Sequence, residues 1–322
     1  MSSKASAPTA LSSTSSTQEA LARVEPQLRD LMALARPAQA LPSWSKRMRT
    51  RQAGQYLSQV RGRGMEYDES RLYQGGDDIR HLDWRVTART GKPHTKLFRE
   101  ERERPVFTAL DFNATMFFGT RKVFKAVQAA RIAALLAWRA NLNGDRVGGL
   151  LFAGDVHHEL APRRGQTAVA RWLKLITAEA PRCRERHQDR HAQQLFVESL
   201  VRLRRVAKPG SLVFVLSDFS LLNEQGRSEL TRLAAHTDTA LVLISDPLDQ
   251  VFPKLRGSGA IGDHTETLQL GSVSATQRQK YHDDFVTREN DIRDLCREQR
   301  MLFTHVSTED DATLALMRWF RS

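Results

Sequence analysis

Oxygen-bearing side chains at separate places in the chain could together hold a divalent cation. The candidates are Asp111, Asn113, Thr115, Thr167 and Asp218. Asp111, Asn113 and Thr115 alternate directly after an apolar segment, so a carboxylate, an amide oxygen and a hydroxyl can face one point. Mg²⁺ prefers hard oxygen ligands of this kind and takes few carboxylates. The pattern therefore predicts a Mg²⁺ site at these residues.

Two other interpretations of the same residues remain open. Asp is favoured at helix starts, so Asp111 and Asp218 could serve only as helix caps. Residues 111–115 also resemble the D-x-D-x-[TV] motif of Mg²⁺-dependent haloacid dehalogenase-like phosphatases, in which the first Asp is the nucleophile. Ser217 would then match the phosphate-binding serine of those enzymes. Asn113 cannot donate a proton to a leaving group, and this weighs against phosphatase chemistry.

Short apolar segments that alternate with helical patterns must position these residues. Residues 106–110, 212–216 and 239–244 are apolar runs of strand length, and each is followed closely by an Asp. Residues 121–142 carry apolar side chains at helical spacing and end at an Asn-Gly stop signal. The alternation predicts an α/β fold with a mostly parallel sheet and helices on both faces. Ligands of such folds bind at the carboxyl ends of the strands, where these Asp residues fall.

The alternating residues after the first apolar run have a counterpart in a known domain. Asp111, Asn113 and Thr115 resemble the D-x-S-x-S metal-ion-dependent adhesion motif of von Willebrand factor A domains, with Asn and Thr in place of the serines. Thr167 falls where that family carries a loop threonine, and Asp218 where it carries a second-loop aspartate. The resemblance implies a von Willebrand factor A-like fold whose Mg²⁺ binds a carboxylate of a partner protein, without catalysis.

The segment from residue 61 to residue 101 carries the most distinctive motif. It reads Gly62-Arg63-Gly64-Met65-Glu66-Tyr67, then Arg71–Trp84, then Thr87-Ala88-Arg89-Thr90. This order resembles domain of unknown function family 58, which couples such a segment to a von Willebrand factor A-like domain. Genes of that family commonly lie beside MoxR-type AAA+ ATPases. The resemblance implies a non-catalytic adaptor that works with such an ATPase in chaperone-like maturation of client proteins.

Acidic and basic residues alternate within this segment, which predicts internal ion pairs and a capped turn. We expect Tyr73 and Trp84 to be buried anchors. Arg80, Asp83 and Arg89 could instead form a face on which a partner docks.

Composition limits the location and the partners. Apolar runs fall short of the roughly 20 residues of a membrane helix, and Cys183 and Cys296 cannot form a disulfide framework. Both features lead us to expect a cytoplasmic protein. The net charge of +12 is concentrated in residues 46–104 and 162–208. Aromatic residues make up only 7% of the chain and mostly follow the apolar pattern, so non-specific nucleic-acid binding is a less favoured alternative.

The chain divides by composition into three parts. Residues 1–20 are rich in Ser, Thr and Ala and predict a disordered tail. Residues 21–104 are expected to form an N-terminal helix and the family-specific, β-rich segment. Residues 105–322 are expected to form the von Willebrand factor A-like domain.

Overall fold

The computed structural model of this chain describes residues 11–43, 65–100, 103–186, 190–251, 260–262, 267–269 and 274–321. The chain forms two compact units. The first unit contains residues 1–51 and 104–322, and the second contains residues 52–103. Residues 1–10 of the predicted tail and the Gly62–Gly64 part of the motif lie outside the described residues.

The described helices and strands follow one another along the chain as the alternating pattern predicts. The helices are α1 (Leu11–Val24), α2 (Leu28–Ala33), α3 (Ala35–Ala38), α4 (Trp84–Thr90), α5 (Lys125–Leu142), α6 (Gln166–Arg184), α7 (Ala192–Val206), α8 (Glu224–Ala234), α9 (Pro247–Gln250), α10 (Ala275–Glu298) and α11 (Ala312–Arg321). The strands are β1 (Met65–Leu72), β2 (His94–Glu100), β3 (Pro105–Asp111), β4 (Arg146–Ala153), β5 (Val156–Arg163), β6 (Leu212–Ser217), β7 (Asp238–Ser245), β8 (Ala260–Gly262), β9 (Thr267–Gln269) and β10 (Leu302–Ser307).

A six-stranded sheet in the order β10-β7-β6-β3-β4-β5 forms the centre of the first unit. Neighbouring strands from β10 to β4 are parallel, and only the edge strand β5 runs antiparallel to its neighbour β4. Parallel strands need a crossover connection, and helices supply it here. The predicted mostly parallel α/β sheet is confirmed.

Helices cover both faces of this sheet. Side chains at alternate strand positions face opposite sides, so Leu110 packs under one helical layer and Ala109 under the other. The first layer contains α5, α6 and α11, and the second contains α7, α8 and α10. None of the helices in the described parts of the chain is long and apolar enough to cross a lipid bilayer.

The N-terminal helices belong to the sheet unit and not to the family-specific segment. Leu31 of α2 and Ala38 of α3 are buried in the same apolar layer as α5. The indole Nε1 of Trp138 donates a hydrogen bond to the carbonyl oxygen of Leu31 at 3.2 Å. The predicted boundary between residues 21–104 and 105–322 therefore differs from the structure, in which residues 52–103 interrupt the sheet unit. The predicted disordered tail is also too long, because α1 begins at Leu11.

Close packing between β4 and α6 depends on a glycine. A Cβ atom built on Gly149 would lie 2.6 Å from the indole of Trp172. Trp172 is fully buried in the first helical layer. Only a residue without a side chain therefore lets the helix approach the strand at this position.

The second unit contains an antiparallel pair, β1 and β2, together with the short helix α4. This pair is the predicted β-rich segment. Asp77 forms an ion pair with Arg71, with 2.6 Å between the carboxylate and the guanidinium. Asp78 and Asp83 accept hydrogen bonds from backbone amides of the helical turns that follow them, as the predicted capped turn requires. The predicted burial of Trp84 is wrong, because its side chain is 69% exposed.

Candidate functional site at the strand ends

Three aspartates lie together because parallel neighbouring strands end at one edge of the sheet. Asp111 ends β3, Asp218 follows β6, and Asp246 follows β7. We call these aspartates and the loops that follow them the strand-end rim. The predicted convergence of the acidic strand ends is observed.

Asp111 is buried, and both oxygens of its carboxylate accept hydrogen bonds from other groups of the chain. Its side chain is 1% exposed. One oxygen accepts hydrogen bonds from the backbone amide of Asn113 at 2.9 Å and from the Asn113 side-chain amide at 2.7 Å. The other oxygen accepts from the Ser217 hydroxyl at 2.5 Å. Burial, and then the negative charge of Asp218, raise the pKa of the Asp111 carboxyl to about 7 despite these bonds.

Asp218 forms a buried ion pair with Lys125, the first residue of α5. The Lys125 Nζ lies 2.8 Å from Asp218 Oδ2 and 3.1 Å from Asp249 Oδ2. Burial alone would raise the pKa of Asp218, but the Lys125 ammonium outweighs it and lowers this pKa to about 2. The other Asp218 oxygen accepts from the backbone amide of Ser220 at 3.0 Å and from its hydroxyl at 2.7 Å.

Asn113 and Thr115 connect loops of the rim to one another. The side-chain oxygen of Asn113 accepts a hydrogen bond from the backbone amide of Gly154, in the β4–β5 turn, at 2.8 Å. The Thr115 and Ser220 hydroxyl oxygens lie 3.3 Å apart, and the Ser220 hydroxyl donates its hydrogen to Asp218. The structure therefore brings Asp111, Asn113, Thr115 and Asp218 to one place.

Thr167 does not join this set, and its assignment as a ligand is wrong. In the β4–β5 hairpin, His157 pairs with Phe152 beside the rim, whereas Arg163 pairs with Val147 at the opposite end of β4. The chain then enters α6 at the end of the sheet opposite the rim. Thr167 is exposed there.

Asp246 fastens the end of β7 to two other loops. Its carboxylate accepts hydrogen bonds from the Thr120 hydroxyl at 2.5 Å and from the buried Thr308 hydroxyl at 2.7 Å. It also accepts from the backbone amide of Leu248 and so caps α9. Burial raises the pKa of Asp246, but these hydrogen bonds outweigh burial and hold the pKa below its ordinary value. Asp246 therefore has the capping role that the sequence left open for Asp111 and Asp218.

The substitution Thr308→Val should lower the free energy of unfolding by about 2 kcal/mol, because it removes a donor from a buried carboxylate. Urea denaturation followed by circular dichroism measures the change. The matched control is Thr115→Val, which removes a hydroxyl at 3.3 Å from another hydroxyl, and we expect a loss below about 1 kcal/mol. Equal losses in the two variants would contradict the role given to Asp246.

A depression of about 280 Å³ opens beside the buried aspartates. Its walls include Ala114, Thr115 and Gly154, together with Arg186 from the end of α6. Arg186 forms an ion pair with Asp155 at 2.5 Å, and both side chains are substantially exposed. The rim therefore offers a small concave surface with accessible charges at its border.

The candidates in the second unit differ in exposure. Arg80 and Arg89 are exposed, as a docking face requires. Asp83 is 6% exposed and caps α4 through the backbone amide of Val86 at 3.1 Å. The Ser70 hydroxyl donates to the other Asp83 oxygen at 2.6 Å. Asp83 therefore shapes the segment, whereas the two arginines are accessible.

Lys125 and Asp249 are the rim residues that the sequence interpretation missed. The sequence does contain an indication for Lys125. A lysine in the first turn of a helix is repelled by the positive end of the helix dipole, so a nearby carboxylate is expected to neutralise it. The Lys125 position also continues the apolar face of α5, where a charged residue is unexpected. Asp249 carries no such signal, because it reads as an ordinary first-turn acidic residue of α9.

Comparison with known proteins identifies a family for the chain. The model of the family described as "Protein of unknown function DUF58" matches residues 69–291. Uncharacterized proteins of Mycobacterium tuberculosis and Mycobacterium bovis are each 30% identical over 202 residues, which is 62% of this chain and 61% of theirs. This chain thus spans 61% of the length of those relatives.

Two solved structures are similar to the chain at low identity. The conserved hypothetical protein BatB from Bacteroides thetaiotaomicron is 15% identical, with 68% of this chain and 97% of that chain covered and a TM-score of 0.41. An aerotolerance-related membrane protein from Bacteroides fragilis is 14% identical, with the same coverages, 68% and 97%, and a TM-score of 0.44.

Proposed function

Because this chain belongs to the DUF58 family, we propose that it is a non-catalytic protein-binding module that works in the cytoplasm with a MoxR-type AAA+ ATPase. The role would be chaperone-like maturation of client proteins. The strand-end rim, with its depression, is the proposed contact surface for the ATPase. The exposed Arg80 and Arg89 of the second unit are a further candidate contact.

The main support for this proposal is that the rim carboxylates are hydrogen-bonded within the chain. Asp111 and Asp218 are buried and accept hydrogen bonds on both of their oxygens. Their bonds join β3, β6 and α5 at the edge of the sheet. Groups used in this way hold a surface in a fixed shape, and a fixed shape favours binding because little order is lost on association.

The same contacts weigh against the phosphatase alternative. A phosphatase nucleophile must approach its substrate, and Asp111 is 1% exposed. The Asn113 side-chain amide donates to Asp111 and so occupies the position of the general acid with a group that cannot protonate a leaving group.

Local ion pairs weigh against nucleic-acid binding through the basic stretch 162–208. Arg184 pairs with Glu25 at 3.0 Å, Arg202 with Glu159 at 3.3 Å and Arg204 with Glu229 at 2.8 Å. Each carboxylate reduces the positive electrostatic potential of its arginine and so weakens the attraction to a phosphate backbone.

The substitution Ala114→Arg tests the rim as a contact surface, because it places a long charged side chain in the depression. Binding to a purified MoxR-type ATPase from the same organism should weaken at least roughly tenfold, as measured by biolayer interferometry. Thr167→Arg is the matched control at the opposite edge of the sheet and should bind as the unaltered protein does. Absence of binding by the unaltered protein would overturn the ATPase partnership, and equal binding by both variants would overturn the rim as its site.

A further inference from the structure

The buried ammonium of Lys125 lies within a set of carboxylates that resembles a metal-binding rim. Its side chain is 4% exposed. The Nζ atom contacts the carboxylates of Asp218 at 2.8 Å and Asp249 at 3.1 Å. We infer that Lys125 is a tethered replacement for the divalent cation, so that the rim is assembled and used without metal.

The oxygens of the rim do not fit Mg²⁺ in this arrangement. Mg²⁺ demands near-octahedral coordination at about 2.0–2.1 Å from its oxygens. Asp218 directs Oδ2 to Lys125 and Oδ1 to Ser220, while both Asp111 oxygens accept from Ser217 and Asn113. A metal ion would have to displace the ammonium or share the carboxylate with it. Within the described ranges, no group of three or more His, Cys, Asp or Glu side chains is placed to hold a metal ion.

The position of Lys125 in the fold explains why it needs these partners. The amino end of a helix carries a partial positive charge, so a lysine in the first turn of α5 is electrostatically disfavoured. Burial lowers the pKa of the Lys125 ammonium, but the charges of Asp218 and Asp249 outweigh burial and raise it. The lysine is therefore held in its charged form by two carboxylates.

The replacement changes how the rim can bind a partner. An accessible metal ion accepts a carboxylate from outside, but a lysine that is 4% exposed and bound to two carboxylates does not. A partner that binds the rim must therefore contact its surface groups and not a cation. If the rim is the partner surface, as proposed above, binding should be the same in Mg²⁺ and in EDTA. That consequence rests on the proposed function, whereas the tethered cation itself can be tested on this chain alone.

Metal binding by the isolated protein tests the inference. Thermal unfolding is measured in EDTA and in millimolar MgCl₂, and Mn²⁺ binding is titrated by electron paramagnetic resonance. The unaltered protein should show no metal-dependent change in Tm and no Mn²⁺ bound at the rim. Lys125→Ser vacates the cation position, and Mg²⁺ should raise its Tm by about 2 °C or more.

Two further variants identify the site of the gained response. Lys125→Ser combined with Asp218→Asn should lose the response to Mg²⁺. Lys122→Ser changes an exposed lysine three residues away and should behave as the unaltered protein does.

A Mg²⁺ or Mn²⁺ response of the unaltered protein that Asp218→Asn abolishes would overturn the inference. A folded Lys125→Ser protein that ignores both metals would overturn it as well. If Lys125→Ser fails to fold, the Mn²⁺ titration of the unaltered protein and of Asp218→Asn still decides.

Discussion

Replacing Lys125 with methionine should lower the free energy of unfolding by about 3–5 kcal/mol, because it leaves buried carboxylates without their cation. Methionine keeps most of the length of the side chain and removes its charge. Asp218 and Asp249 then face each other across an apolar group, at 6% and 14% side-chain exposure. Urea denaturation at neutral pH, followed by circular dichroism, measures the loss.

The control for this substitution is Lys122→Met, which removes an exposed lysine of the same segment. We expect it to cost less than about 1 kcal/mol. Adding Asp218→Asn to Lys125→Met should recover part of the loss, since it removes one of the unpaired charges. A loss below about 1 kcal/mol for Lys125→Met would show that the ion pair contributes little to the rim.

Replacing Gly149 with alanine should lower the free energy of unfolding by about 3 kcal/mol, the upper end of the usual cost of overpacking. The added Cβ would lie 2.6 Å from the fully buried indole of Trp172, so strand or helix must move. Without this clash, alanine would be neutral or stabilising, because glycine in a strand has an entropic cost. The free energy of unfolding, measured by urea denaturation, should therefore fall if the clash is present and stay equal or rise if it is absent.

A second substitution at the contact separates the clash from other effects. Trp172→Phe replaces the indole with a smaller ring and also removes an indole N–H that has no hydrogen-bond partner among the described residues. In the Trp172→Phe background, Gly149→Ala should cost less than about 1 kcal/mol. An unchanged cost in that background would mean that the loss arises elsewhere on β4.

The sheet and the position of its aspartates could be predicted from the sequence. Uninterrupted apolar runs mark buried parallel strands, and the residues that follow such strands share one edge. The sequence therefore predicts that Asp111 and Asp218, which are 107 positions apart, lie close together. The error at Thr167 came from the hairpin, because an antiparallel strand returns the chain to the other edge before α6 begins. The Gly154-Asp155 turn signal in the sequence already indicates that hairpin.

The identity of the cation could not be predicted in the same way. Lys125 and Asp218 are 93 positions apart, and their contact depends on how α5 crosses the sheet. Apolar periodicity identifies the buried face of a helix, but it does not reveal that a lysine at the helix start reaches a carboxylate on a distant strand. The domain boundary failed for a similar reason, since the Leu31 carbonyl pairs with Trp138, which is 107 positions away in the chain.

The N-terminal helices also constrain the order in which this protein can fold during synthesis. Leu31 and Trp138 are 107 positions apart in the chain, and a ribosome adds roughly 5–20 residues per second. The apolar face of α2 is therefore made about 5–20 s before the helix that covers it, at these rates. Through this interval the apolar side chains of α2 lack the helix that packs against them in the folded protein.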